Sequence, residues 1–417
     1  MASALFDELK NRLTFDGIDI DTWVFKFYSR VTVGLFLVAG AVSVADSLVD
    51  KNPIECKSGD DYDKNYCYLH GVAHLQPNGI SSDISGADCF SAVNVGEEKI
   101  SNYYLWISLV LFLCGAAFAI PNEIWKHFEG GVLKQFEGLK SIELEDEKEN
   151  RKKAVSQFNR LTNNFTNRYF YTFVLFELIY CILGIVTFNL LDVFLDGKFQ
   201  SYGSDTFAYL TGDTMPISIT DSETQVTNEV IVNPMCNVFP TVVSCTIKTF
   251  SVVQGAADTK NNICILGRNI LNQQIFLVLW VWFMILFSAT VCQIIYRLIT
   301  LFVPSWQSWT IQYQLNSTDD LAVKKIELGF GKIGNWFLLT QIGSNSDPYA
   351  FRKFLEEVTG VDRKKKEEEE KEKRRKIKKE SNNVSNHDDE AIDIDGKEQR
   401  EKMLMEWERK LENLENV

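Results

Sequence analysis

The chain has 417 residues, a formal net charge of −13 and 46% hydrophobic residues. Length alone would suit a soluble protein of two or three domains, but the distribution of apolar residues excludes it. They gather in four runs, at about 31–45, 103–120, 169–191 and 275–303, and a soluble fold would have to bury four helices that are apolar all round.

A bilayer span needs about 20 apolar residues. The last three runs reach or approach that length. The first does so once 23–30 is included, with Lys26 and Arg30 snorkelling to the interface. The expected fold class is therefore mainly α, a four-helix transmembrane bundle with disulfide-bonded extracellular loops and a helical cytoplasmic domain. In chain order this gives an N-terminal pore-helix segment (1–22), a first span (23–49), an outer loop (50–102), a second span (103–125), a cytoplasmic loop (126–168) and a third span (169–191). A second outer loop (192–274), a fourth span (275–303), a C-terminal domain (304–362) and a charged tail ending in a short helix (363–417) follow.

Residues 2–13, ASALFDELKNRL, place Leu5, Leu9 and Leu13 four apart, with Asp7 and Lys10 on the other side. That is an amphipathic helix, either lying on the inner leaflet or lining a pore. The segment 1–22 is too charged for a cleavable signal peptide, so the first span is expected to act as an uncleaved anchor.

Lys and Arg are concentrated on one side. Segment 1–30 has four and 125–168 has nine, whereas 192–274 has four. The N-terminus, middle loop and tail are therefore expected to be cytoplasmic. Cysteine usage agrees. Cys114, Cys181 and Cys292 lie in spans and are expected to be packing residues. Cys56, Cys67 and Cys89 fall in one outer loop and Cys236, Cys245 and Cys264 in the other, as disulfides on an oxidising face require.

Pro121 interrupts the second apolar run, and Glu177 sits inside the third, in FVLFELIY. An intramembrane carboxylate is a functional candidate; the favoured reading is a protonated or hydrogen-bonded structural glutamate. Asp46 and Asp50 stand at the outer end of the first span and are candidates for an outer vestibule. The stretch GFGKIG at 329–334 matches a dinucleotide fingerprint but lacks a preceding strand, and is read as turn glycines. Cys67, His70 and His74 have metal-like spacing, yet Cys67 is expected to be oxidised, so no metal and no cofactor are expected. No nucleophile elbow or P-loop appears, so an enzyme is not expected; nor is a nucleic-acid partner. The sequons at Asn164, Asn316 and Asn383 all lie in segments read as cytoplasmic.

In the tail, 304–361 holds enough aromatics for a small packed domain, and 363–380 is a charge block suited to a solvated helix. Leu404, Trp407, Leu411 and Leu414 form a short apolar stripe that could pair with its own copies.

Several stretches carry a resemblance. YYLWI leading through the proline to WKHFEGG resembles the innexin signature, with Leu105 where that family usually has glutamine. DTWVFKFYSRVTVGLFL, NPIECKS with NYCYLHG, FELIYCILGIVTFNLLDVFLDGKF, NNICILGRNILNQQIFLVLWVWF and NWFLLTQIGSNSDPYAFRKFL are each similar to innexin segments, in the family's order, over about 15–360.

The resemblance implies a gap junction subunit. It would form a ring, often of eight, around a pore, and dock through its outer loops to a ring in an apposed membrane. Mixed rings with other innexins and contacts with membrane lipids are further expected partners. Pro121 would then kink the second span and leave the Ala117 carbonyl without its helical donor.

The resemblance also implies inter-loop pairing of Cys56, Cys67, Cys245 and Cys264. Cys89 and Cys236 are additional to the family pattern. Six cysteines allow 15 pairings. With antiparallel loops, the nested order Cys56–Cys264, Cys67–Cys245 and Cys89–Cys236 is expected, the alternative leaving Cys89 and Cys236 as free thiols. Two other functions remain open, an undocked pannexin-like channel releasing small molecules such as ATP, and a four-span adhesion or scaffold protein without a pore. Bare outer loops favour docking, which bulky glycans would obstruct.

Overall fold

The structure is a computed structural model that describes residues 19–49, 54–74, 89, 100–140, 147–162, 165–213, 217–220, 227–230, 233–250, 257–315, 332–359, 402 and 405. Its elements in chain order are α1 (23–49), β1 (Glu55–Cys56), α2 (Asp61–His70), β2 (Val72–His74), β3 (Ile100–Ser101), α3 (Ile107–Glu129), α4 (Glu147–Leu161), α5 (Phe165–Phe194) and α6 (Phe199–Thr211). There follow β4 (Ile217–Thr220), β5 (Thr227–Val230), α7 (Pro234–Val238), β6 (Val242–Phe250), β7 (Ala257–Ile265), α8 (Arg268–Phe302), α9 (Pro304–Leu315), α10 (Ile333–Asn345) and α11 (Pro348–Val358).

Helices α1, α3, α5 and α8 are long and apolar enough to cross a membrane. The helices do not end where the apolar runs end. The run read from 275 begins as a helix at Arg268, and that read as 169–191 extends over Phe165–Phe194. The second starts at Ile107 after a short 3-10 turn, Tyr103–Leu105. At about 1.5 Å per residue, α5 and α8 measure roughly 45 and 52 Å, against a hydrocarbon core of about 30 Å. Their polar end turns therefore project into the regions on either side.

The spans pack through aromatic rings. Phe25 stacks on Phe173 with centroids 5.5 Å apart, and Tyr28 stacks on both Tyr180 and Phe118. Trp125, fully buried, meets Tyr169, Phe173 and Phe176. Within α1, a π-helical segment at Phe27–Thr32 widens one turn. The Thr32 hydroxyl donates 2.9 Å to the Phe27 carbonyl and accepts from the Trp282 indole of α8, so the widened turn is bonded to a neighbouring span. Helix α3 continues through Pro121, which is buried. The Tyr180 hydroxyl donates 3.2 Å to the Phe118 carbonyl in the turn before the proline.

One end of the bundle, the loop side, carries a five-stranded antiparallel sheet in the order β1-β7-β6-β2-β3. Strands from both connecting segments contribute to it. The segments read only as disulfide-bonded loops are thus a β-sheet cap. Its small core consists of Ile54, Val72, Tyr104, Val243, Ile247 and Leu266 around buried cysteines.

The other end, the tail side, holds α4, α9, α10 and α11. Phe337 of α10 lies 5.0 Å from Phe173 of α5, which seats this domain directly on a span. The approach is close enough that a Cβ on Gly334 would overlap the Thr166 carbonyl, so only glycine fits there. Phe354 of α11 meets Phe136 and Phe158, and Arg151 bonds Glu357 at 2.9 Å. The 304–361 region read as a small packed domain is therefore joined to the middle segment, α4 included.

Candidate functional site

On the loop side, three disulfides join the two segments in nested order, Cys56–Cys264, Cys67–Cys245 and Cys89–Cys236, with sequence separations of 208, 178 and 147. Two of the elements that present a cysteine, α2 and α7, begin at a side-chain cap. Helix α2 starts where the Asp60 side chain accepts from the Tyr62 N–H, and α7 where Asn233 accepts from the Met235 N–H. Cys56 and Cys264 are directly paired residues of neighbouring strands. Cys67, His70 and His74 do not form a metal site, since the Cys67 sulfur is bonded to Cys245. The same bonding accounts for the close approach of Cys56, Cys67 and Cys264, which reflects two packed disulfides.

The cap is tied to the bundle by amides at the start of α8. Asn269 donates to the Pro240 carbonyl and to the Tyr103 hydroxyl, and Gln273 donates to the Phe239 carbonyl at 2.9 Å and to the Cys89 sulfur at 3.2 Å. Both side chains are buried. Sequence reading missed this clamp. Its signal was available as polar residues recurring on one face, at Asn269, Asn272 and Gln273, just before an apolar run. Below the sheet surface, Asp63 accepts from Lys260 at 2.7 Å and from Asn262. The Lys260 ammonium holds the Asp63 carboxyl below the usual carboxylate range, helped by Ser58 and Asn262 and opposed by burial.

On the tail side the residues read as snorkelling are paired instead. Lys26 lies 2.7 Å from Asp19, and Arg30 reaches Asp21 at 3.5 Å. Burial pushes the Asp21 carboxyl up to about 6, against the pull of Arg30, Lys126 and Lys26. Glu177 is hydrogen-bonded within the bundle, as one member of an ion pair. Its partner is Arg297 of α8, whose Nε and Nη2 each donate at 2.8 Å. Gln293 and Thr22 donate to the same carboxylate. The rings of Phe170, Phe173, Tyr296 and Phe337 surround the guanidinium at 5.4–5.9 Å. Arg297 was overlooked because one charge barely alters a long apolar run.

The sequence candidates thus divide by place. The six loop cysteines meet on the loop side and Glu177 lies at the tail side. Pro121 is in the bundle core. Asp46 is helical within α1, its side chain outside the described residues, as are Asp50 and the N-terminal stripe of Leu5, Asp7, Leu9, Lys10 and Leu13. Of the span cysteines, Cys114 is buried, Cys181 is half-buried and Cys292 is exposed.

The sequence that builds these four spans and this cap matches a known family. The family model for innexins matches residues 21–361. The chain belongs to the innexin family. Innexin inx2 of Drosophila melanogaster is 28% identical over 375 residues, covering 85% of this chain and 95% of that protein. Innexin inx2 of Schistocerca americana is 29% identical over 375 residues, covering 85% and 96%. Innexin shaking-B of Drosophila melanogaster is 26% identical over 367 residues, covering 85% and 93%. As an innexin the chain is a gap junction channel subunit, a multi-span membrane protein.

Proposed function

We propose that this innexin assembles as a ring, expected to be an octamer, around a pore that passes ions and small metabolites. The loop-side cap docks to a ring in an apposed membrane, and both termini are cytoplasmic. The observation that carries this reading is the cap, in which strands from both loops form one sheet and three disulfides join the loops. A docking face must hold its shape before its partner arrives, because ordering a loose loop would subtract from the binding free energy. The concentration of Lys and Arg in 1–30 and 125–168 supports the orientation. Other innexins are candidate partners in mixed rings, and membrane lipids contact the exposed apolar faces of the spans.

Dye transfer between paired cells that express only this chain tests the reading, with unpaired cells as control. Transfer between pairs without uptake by single cells is the expected result. Uptake or release by single cells alone would favour the undocked channel, and no flux in either setting would favour the adhesion reading.

A further inference from the structure

The cap exposes apolar side chains on two opposite faces. Helix α2 lies against one side of the sheet, where Cys67 is bonded to Cys245 of β6 and Asp63 accepts from Lys260 and Asn262 of β7. At about 3.6 residues per turn, Tyr62 and Leu69 fall on the side of the helix away from Cys67. They are 66% and 65% exposed.

The other face belongs to the sheet. Cys264 and Asn262 point to the α2 side, so Ile263 and Ile265 point away from it. Each isoleucine is about half exposed. Val242 and Ser244, their partners on β6, share that face and are half-buried. The disulfide fixes which way the strand is turned, but it does not call for isoleucine at the positions left outside. An antiparallel sheet that faced water there would carry polar residues.

Both patches lie at one level, close to the spans. Arg268, the first residue of α8, donates from Nη1 to the Tyr68 hydroxyl at 3.5 Å. Tyr68 also lines a small cavity with Ser43 of α1 and Ser108 of α3. Leu69 follows Tyr68 in the chain, and Ile265 stands just before the start of α8. Strand β7 is nine residues long, roughly 30 Å, and the two isoleucines are at its membrane end. A ring in an apposed membrane would approach the far end, at Ala257. A partner for these patches therefore stands beside the subunit.

We propose that the partner is a second copy of this chain in the same ring, with the α2 face of one subunit, Tyr62 and Leu69, packed on the sheet face of the next, Ile263 and Ile265. The inference rests on the ring reading above and assigns the contact between neighbouring caps. Two different surfaces on opposite sides of one layer make a head-to-tail contact, the kind that closes into a ring. A surface that met its own copy would stop at a pair.

The test treats membranes containing the full-length protein with the short cross-linker bismaleimidoethane and reads reducing denaturing gels. Mass photometry of the solubilised sample gives the size of the assembly. The double variant Leu69→Cys with Ile263→Cys should give a ladder of multimers, and so should Tyr62→Cys with Ile265→Cys. Each single variant should give no more than the wild type, because identical positions do not meet. Ring-sized particles with no ladder from either double variant overturn the proposal and leave the ring reading standing. A dimer from Ile263→Cys alone also overturns it, since that face would then meet its own copy. Monomer-sized wild-type particles overturn the ring reading and the proposal with it. Should neither double variant assemble, amide exchange of the wild type decides. Exchange in α2 and β7 should be several-fold slower in rings than in detergent-dissociated subunits, and equal rates overturn the proposal.

Discussion

Glu177 of α5 and Arg297 of α8 face each other as a two-pronged ion pair, with Nε–Oε2 and Nη2–Oε1 both 2.8 Å and the side chains about one-tenth exposed. The pair joins two spans at the level where Thr22 enters the first and Phe337 of the tail domain covers the guanidinium. Removing one member strands the other charge among aromatic rings. Arg297→Ala should therefore lower stability by about 3–5 kcal/mol. The double variant Glu177→Leu with Arg297→Leu should lose clearly less. Thermal unfolding of the purified proteins in one detergent compares them, and a double variant as unstable as Arg297→Ala would contradict this account.

The Cys89–Cys236 bridge should be recovered intact by non-reducing peptide mapping, together with Cys56–Cys264 and Cys67–Cys245. Replacing Cys89 and Cys236 jointly by serine should cost about 2–5 kcal/mol while leaving the other two bridges formed. Alkylatable thiols at Cys89 and Cys236, or a peptide joining Cys56 to Cys67, would be the contrary outcomes.

Acid should weaken the cap through Asp63. The folded carboxyl is held below its unfolded value, first by the Lys260 hydrogen bond. Its contribution is complete above the unfolded value and is lost as pH falls below about 4 towards the folded one. Amide exchange of β6 and β7 should accelerate over that window, and Asp63→Asn should flatten the dependence.

Conductance should favour cations modestly. Segment 50–102 has nine acids against four bases, and 192–274 has eight against four. Repeated around the proposed ring, the excess should make the outer vestibule negative, and Asp46 and Asp50, at the outer end of the first span in sequence, are the expected contributors. Reversal potentials in a salt gradient should show the preference and its decline at high salt. Strong chloride selectivity would count against it.

Deleting residues 2–13 should change single-channel conductance or gating more than surface assembly, if the stripe of Leu5, Leu9 and Leu13 packs on the inner ends of the spans and leaves Asp7 and Lys10 nearer the pore. Patch recording with surface biotinylation measures both. Unchanged currents would favour a helix lying on the leaflet.

Much of the architecture could be read from the chain. Four spans follow from the lengths of the apolar runs, because no water is available in the bilayer to satisfy an exposed backbone. The cap was less legible. Strand β7 reverses the usual pattern, with Asn262 buried and Ile263 and Ile265 about half exposed. Cys264 must face inward to reach Cys56, and side chains alternate along a strand, so Asn262 goes inward with it. A hydrophobicity rule would have placed that strand the other way round. The ends of the spans were obscured similarly. The first turn of α8 is polar because it serves the cap, so the apolar run begins later than the helix.

Composition and spacing by themselves determined the number of spans, the division of cysteines between two loops and, through its motifs, the family. Those properties are sums over many residues, and no single contact can alter them. The tertiary structure alone decided that Glu177 is answered by Arg297, 120 residues away, and that Lys26 and Arg30 turn to Asp19 and Asp21. Each of these depends on which helix faces meet at one height in the bundle. Several neighbours satisfy the local pattern of every helix, and packing of the whole chain selects among them.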